Sequence, residues 1–282
     1  PSEFRQAGIE SFAAPDREQD DAAVLALIVE ALREAGLARF QLRFGDLGLF
    51  TALLGALPMP QRWRRRLRHH FWRPEAFRAE LARLTSRAAL QAHGVPRELS
   101  DALDPARPQE AQALVEVYLE RSGLELIGTR TLPEIAERLL AAAADARETP
   151  LPADTARLIE SYTALKAPAR EAAGRLEALV RLHKLDLGEV LAAFRRRLDL
   201  LDAAGVDTQG AAFAAEFGRD LEYYTGFVFE IVAPALGPDS PVAGGGRYDS
   251  LLADVGAPVP VPAVGSCIHT ERLLAVLSGE AA

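Results

Sequence analysis

Polar and apolar residues alternate over residues 1–12, where Phe4, Gln6, Gly8 and Glu10 share one face by the two-residue period of a strand. Gln6 and Glu10 then point the same way. That layout suits two acceptors in a pocket, and equally a solvent-facing stripe on an antiparallel strand. From Asp20-Asp21 the period changes: Val24, Leu25, Ile28 and Leu32 repeat at helical spacing. An acidic first turn and a stop at Gly36 predict a helix running to about Ala35. Residues 40–44 read as a short strand and residues 45–48 as a turn into another helix, a unit that feeds a mixed sheet. From residue 74 to about 201 the pattern is almost wholly helical, broken at Gly94-Val-Pro96, at Pro105 to Pro108, at Gly123 and at Thr149-Pro-Leu-Pro152. Leu124-Glu-Leu-Ile-Gly fits a short strand or a helix end. Residues 187–204 form a long amphipathic helix closed by Gly205. Residues 227–233 alternate as a half-buried strand with Phe227, Phe229 and Ile231 on one face. Thr225-Gly226 is a turn signal, and Gly244 to Gly246 read as a glycine-rich loop.

The pattern therefore predicts a mixed α+β fold. Residues 1–73 and 205–282 are two parts of one sheet-forming domain, and residues 74–204 are a largely helical insertion. The chain begins at Pro1 inside what reads as a hairpin, so a preceding segment is expected.

Composition narrows the function. The 282 residues, 49% apolar and 26% charged, are those of an ordinary soluble globular protein. A net charge of −8 argues against the broad phosphate-binding surface that tRNA requires. One cysteine, Cys267, excludes a disulfide framework and fits a reducing cytosol. The histidines are scattered, and no spacing suggests a metal triad. No apolar run approaches a membrane span, and no signal peptide precedes the first strand, so a cytoplasmic location is expected.

One stretch runs against the acidic balance: Gln61-Arg-Trp-Arg-Arg-Arg-Leu-Arg-His-His-Phe-Trp-Arg73. It suits a phosphate-bearing ligand, a nucleic acid or an acidic partner surface. It also fits an amphipathic helix with Trp63, Leu67 and Phe71 inward and its arginines in solvent.

Residues 216–249 gather Arg219, Tyr223, Tyr224, Glu230, the three glycines and Arg247, a mixture suited to a small polar ligand. Successive glycines let backbone approach a ligand and offer bare N–H groups. An ordinary hairpin with aromatic cross-strand pairs explains the composition as well. The order of the residues adds more. Arg219-Asp-Leu-Glu-Tyr-Tyr-Thr-Gly, then Phe-Glu, then Ala243-Gly-Gly-Gly-Arg-Tyr-Asp249 resembles the histidine-binding signatures of the histidyl-tRNA synthetase family. Phe4-Arg-Gln-Ala-Gly-Ile-Glu10 resembles the second strand of that family's motif-two hairpin. Ala263-Val-Gly-Ser-Cys-Ile-His-Thr-Glu-Arg-Leu273 resembles its motif three.

The resemblance implies a class II aminoacyl-tRNA synthetase-like antiparallel sheet flanked by helices. It implies that Glu10 and Tyr224 meet the two imidazole nitrogens of free histidine, and that Gln6 helps hold the α-amino group. Arg219 would pair with the α-carboxylate, while Tyr223, Gly244, Gly245 and Gly246 wall the pocket. Departures accompany the match. His269 stands where the family has a glycine beside ATP, next to the retained Arg272, which argues against nucleotide binding, and a protein without an anticodon-binding domain is expected. Together these features resemble the synthetase-like paralogue family of histidine biosynthesis, the regulatory subunits of ATP phosphoribosyltransferase. That family implies a non-catalytic allosteric role, no cofactor or metal, a catalytic phosphoribosyltransferase partner, and a homodimer within a hetero-oligomer. A divergent or truncated histidyl-tRNA synthetase and a degenerate pocket kept as scaffold are the other two readings.

Overall fold

The structure, a computed structural model, describes residues 4–91, 95–123, 131–217 and 223–279. The elements run β1 Gln6–Phe12, α1 Arg17–Glu34, β2 Gln41–Asp46, α2 Leu47–Ala56, α3 Gln61–His70, α4 Pro74–Thr85, α5 Arg87–Gln91, α6 Arg97–Ala102, α7 Pro108–Ser122 and α8 Leu132–Arg147. They continue with α9 Ala153–Thr163, β3 Lys166–Pro168, α10 Ala169–Leu182, α11 Gly188–Ala203, β4 Ala212–Ala214, β5 Phe227–Val232, β6 Ala243–Arg247, α12 Leu251–Asp254, β7 Ala263–His269 and α13 Thr270–Ser278. Two compact units result: Pro1–Pro58 with Arg157–Ala282, and Met59–Ala156.

The first unit holds the sheet, seven strands among the described residues in the order β1-β7-β6-β5-β2-β4-β3. Neighbours are antiparallel except β2 and β4. Register places Glu10, Gly265, Gly246, Val228 and Gly45 in one row across five strands. The pleat sends the next row, with Ser266, Gly245, Phe229 and Phe44, to the opposite face. That face is covered by α1 and α11. Phe194 of α11 meets Phe213 edge-on at 5.2 Å, and the Arg197 guanidinium lies 4.9 Å from the Phe227 ring.

Several elements differ from the expected ones. The first helix starts at Arg17 because Asp16, whose carboxylate accepts from the Gln19 N–H at 3.1 Å, supplies the cap. Asp21 therefore lies in its second turn, fully buried. Helix α2 begins one residue after Asp46, which accepts from Gly48 N at 2.8 Å. Gly244 to Gly246 are a central strand and not the expected loop: all of β6 is buried. Their glycines permit close approach, since a Cβ on Gly245 would collide with the Gly265 carbonyl, and one on Gly246 would lie 2.7 Å from the Phe227 carbonyl. Strand β5 is buried on both faces, with only Glu230 partly exposed, where half-burial was expected. The strands β3 and β4 interrupt and follow a stretch whose pattern is helical. The segment 124–128, expected as strand or helix end, lies outside the described residues.

The second unit is helical throughout its described residues. Leu99, Leu103, Ala111, Val115, Ala136 and Ala143 form one cluster across α6, α7 and α8. Helix α3 buries Trp63 and Leu67, with Phe71 just beyond it. Its arginines are not all solvated as an amphipathic helix predicts. Arg62 and Arg66 turn to Asp145 of α8, whose side chain is 1% exposed. Asp145 also accepts from Trp63 Nε1 at 2.7 Å and pairs with Arg83 at 3.1 Å. Burial alone would raise the Asp145 carboxyl, but hydrogen bonds from Arg62, Trp63 and Arg66 overcome it and hold the group below its ordinary value. A depressed carboxyl stabilises the fold above the unfolded value and loses that contribution as pH falls through the folded one. Asp145→Ala leaves a buried indole N–H unpaired and takes one carboxylate from each of three guanidiniums, which keep Glu148 or Glu80. It is expected to cost about 2 kcal/mol in urea unfolding at pH 7, with the difference from wild type narrowing below about pH 4.

Candidate functional site

The face of the sheet opposite α1 and α11 carries Gln6, Gly8 and Glu10 on β1, Gly265, Cys267 and His269 on β7, and Gly244 and Gly246 on β6. Glycines here leave a floor without side chains. Glu10 lies across that floor: a Cβ on Gly265 would run into its carboxylate. The strand β6 ends in Arg247, and Tyr248 follows, two residues after Gly246 and so on the same face. Its hydroxyl donates to Glu10 Oε2. Burial pushes the Tyr248 phenol well up, and the Glu10 carboxylate that accepts its proton pushes the same way. Tyr248 therefore stays a donor through neutral pH.

Two more rings complete the wall. The Tyr223 centroid is 4.5 Å from that of Tyr224 and 5.6 Å from that of Tyr248, the latter pair edge-on. Tyr224, Tyr248, Val228 and Ala263 are buried together, with Leu47, Phe217 and Leu251 packed around them. A Cβ on Gly246 would stand 2.9 Å from Tyr224 Cε1, so that glycine makes room for the ring. The cluster packs on Val228, near the start of β5, and buries that residue on the site face.

Of the expected site residues, the structure brings together Glu10, Tyr223, Tyr224 and Gly246. Gly244 lies on the same face, as does the exposed Gln6, opposite His269 at the other end of β1. Gly245 turns to the helix-covered face. Arg219 lies outside the described residues. Tyr248 was missed as a site residue, although its two-residue offset from Gly246 was a sufficient signal.

Arg247, drawn into the same mixture by its place in sequence, faces away from the site. It is 4% exposed, and its Nε donates to Asp21 at 2.8 Å, its Nη1 to Asp249 at 2.9 Å. Asp21 accepts in turn from Arg197 Nε at 2.7 Å, and Arg197 Nη1 donates to Asp46 at 2.9 Å. This buried cluster holds the backbone on either side of Tyr248. Thr225 N donates to the Arg247 carbonyl at 2.8 Å, Asp249 N to Thr225 Oγ1 at 3.0 Å, and Leu47 N to the Gly226 carbonyl at 3.0 Å. The turn after Tyr223 and Tyr224 is thus tied to the strand that carries Tyr248.

At the far end of β7 the two motif-three positions are engaged within the protein. The His269 ring sits 4.8 Å from the Phe4 ring, and Arg272 Nη1 donates to the Pro241 carbonyl at 2.7 Å. Glu271 accepts from the Arg5 N–H at 2.9 Å, pinning the start of β1 to α13. No helix among the described residues is long and apolar enough to cross a membrane.

Comparison with known proteins agrees with this geometry. The family model described as histidyl-tRNA synthetase matches residues 1–121 and 112–273. The ATP phosphoribosyltransferase regulatory subunit of Brucella anthropi is 34% identical over 273 residues, 96% of this chain and 72% of that protein. The protein of the same name from Brucella canis is 36% identical over 290 residues, 99% of this chain and 73% of its own. A solved structure from Bacillus halodurans, described as an ATP phosphoribosyltransferase regulatory subunit/histidyl-tRNA synthetase, aligns at a TM-score of 0.58 with 20% identity. It covers 96% of this chain, which spans 52% of that one, and the likeness speaks for the fold. The expected class II synthetase-like α+β architecture is borne out. The curated relatives are named as regulatory subunits and not as the ligase. The chain belongs to the family of ATP phosphoribosyltransferase regulatory subunits, built on a histidyl-tRNA synthetase-like fold.

Proposed function

We propose that this chain is a non-catalytic subunit that binds free histidine and confers activation and histidine feedback control on a short-form ATP phosphoribosyltransferase in the cytoplasm. The observation that carries the reading is the Tyr248–Glu10 pair beneath Tyr223 and Tyr224 on a glycine floor. A carboxylate with one oxygen engaged keeps acceptor capacity for an imidazole N–H. A phenol such as Tyr224 serves the other ring nitrogen as donor or acceptor. The ring cluster supplies the apolar slot that a planar imidazole fills. Gln6 would assist at the α-amino group and Arg219 would bind the α-carboxylate, where a guanidinium can pair bidentately.

Feedback requires that histidine prefer one of two conformations of the complex; tight binding alone shifts nothing. The engaged Arg272 and the His269 ring in place of glycine support a site that has kept the amino acid and given up the nucleotide. The assembly would be a homodimer of this chain within a hetero-oligomer with the catalytic subunit, without tRNA. The ligase reading draws no support from the relatives, which are named otherwise.

The test is calorimetry of the chain with histidine, followed by inhibition of the assembled complex. Arg219→Ala is expected to abolish inhibition by histidine while leaving assembly intact. Inhibition unchanged in that variant rejects the pocket, and histidine-dependent ATP–pyrophosphate exchange by the wild-type chain rejects the regulatory role.

A further inference from the structure

Helix α3 breaks the local rules for a surface helix. Residues 61–73 hold six arginines, two histidines and no carboxylate, in a chain of net charge −8. The first turn has no acidic residue and no side-chain cap, and arginines stand where the helix dipole favours anions. Like charges at i, i+3 and i, i+4 add repulsion. On one flank the conflict is resolved internally, because Arg62 and Arg66 are bound to Asp145, Glu148 and Glu80. That same grip, with Trp63 and Leu67 buried, fixes the rotation of the helix about its axis.

The outward side is left uncompensated. Arg65 and Arg68, one turn apart and both exposed, have no carboxylate partner among the described residues. Exposed His69 stands beside them at i+4 from Arg65. Just past the helix, the Arg73 guanidinium lies over the Trp72 ring, 3.9 Å from its centroid. An arginine already ordered by stacking loses little freedom on contact. Arg68 stands in the last turn, where the dipole favours cations, so what marks the surface is its outward guanidiniums without carboxylate partners among the described residues.

We propose that the outer face of α3 — Arg65, Arg68 and Arg73 — is the docking surface for a carboxylate-rich face of the catalytic partner subunit. A protein surface fits better than a nucleic acid. The cationic face is about two helical turns long, and its neighbours Arg62 and Arg66 are already taken by Glu148 and Glu80, which leaves too few cations for a continuous phosphate track. Discrete carboxylates matched to two or three guanidiniums suit its size. This inference rests on the regulatory reading above.

The experiment uses the full chain and a purified short-form ATP phosphoribosyltransferase catalytic subunit, with association measured by sedimentation at two salt concentrations. Arg65→Glu with Arg68→Glu is expected to weaken association at least tenfold and to flatten its salt dependence. Circular dichroism and histidine calorimetry of the free variant should match wild type, since neither arginine bonds within the fold. Equal affinity and equal salt dependence in the double variant overturn the docking surface alone. Failure of the wild-type chain to associate overturns the regulatory reading and this surface with it. Binding of a duplex RNA probe by wild type, lost in the variant, reassigns the face to nucleic acid and also overturns the proposal.

Discussion

Replacing Glu10 by alanine is expected to weaken histidine binding by about a hundredfold without unfolding the chain. A hydrogen bond to a charged group contributes roughly 1.5–3 kcal/mol, and tenfold in affinity corresponds to about 1.4 kcal/mol. Glu10 is well placed for the full effect. Its carboxylate is oriented over Gly265 and by the Tyr248 hydroxyl before any ligand arrives. Glu10→Gln keeps an acceptor oxygen and the shape but loses the charge, so a loss nearer tenfold is expected. Tyr248→Phe removes the orienting donor and keeps the ring against Tyr223, so a loss of about tenfold is again expected. The fold should tolerate both Glu10 variants because Glu10 lies on an exposed strand, and Tyr248→Phe because the ring keeps its packing in the buried cluster. Calorimetry gives the affinities and urea unfolding the stability. Equal histidine affinity in the wild type and in Glu10→Ala would remove the carboxylate from the site.

The parts of this architecture that were legible in the sequence are those with a period. Strand β1, helix α1, strand β2 and the α3 core of Trp63, Leu67 and Phe71 carry side-chain alternation or helical spacing, and each forms near its expected place. The glycine triplet carries no side-chain pattern at all. Its place in the sheet is set by the two flanking strands, β5 and β7, which approach Gly246 and Gly245 too closely for a Cβ, as only the assembled sheet reveals. Strands β3 and β4, three residues each, are too short to show a period beside long helical runs. Strand β5 is apolar at Val228 on the site face because the site tyrosines cover it there. The candidate site was readable where an ordered motif placed like residues at matching offsets, as with Glu10 and Tyr224. Arg247 was not, since its partner Asp21 is 226 residues away in sequence. A buried ion cluster of this kind has no local signature. The same holds for Asp145, whose partners on α3 lie about eighty residues earlier.

Asp21→Ala should cost about 3–5 kcal/mol in urea unfolding and should also impair histidine binding, which Glu10→Ala separates by leaving stability alone. Asp21 is fully buried between two guanidiniums. Burial pushes its carboxyl up against the pull of Arg197 and Arg247, so the ion pairs fall short of offsetting the desolvation of the carboxylate. Removing the shared carboxylate is a different perturbation from never having had it. Arg197 retains Asp46, and Arg247 retains Asp249, but each loses its central acceptor in a place water does not reach. A loss of that size is a large share of the 5–15 kcal/mol typical of a folded domain. The second effect follows from what Arg247 holds. Its backbone carbonyl receives the Thr225 N–H, and its side chain orders Asp249, whose N–H meets Thr225 Oγ1. Loosening Arg247 therefore frees Tyr248 from one side and the Tyr223–Tyr224 pair from the other. If the cluster serves chiefly to fix these directions, then Asp21→Leu combined with Arg197→Met and Arg247→Met should recover most of the stability lost in Asp21→Ala but not the histidine affinity. Recovery of both would reduce the cluster to a filler of the interior and leave the three tyrosines to position themselves.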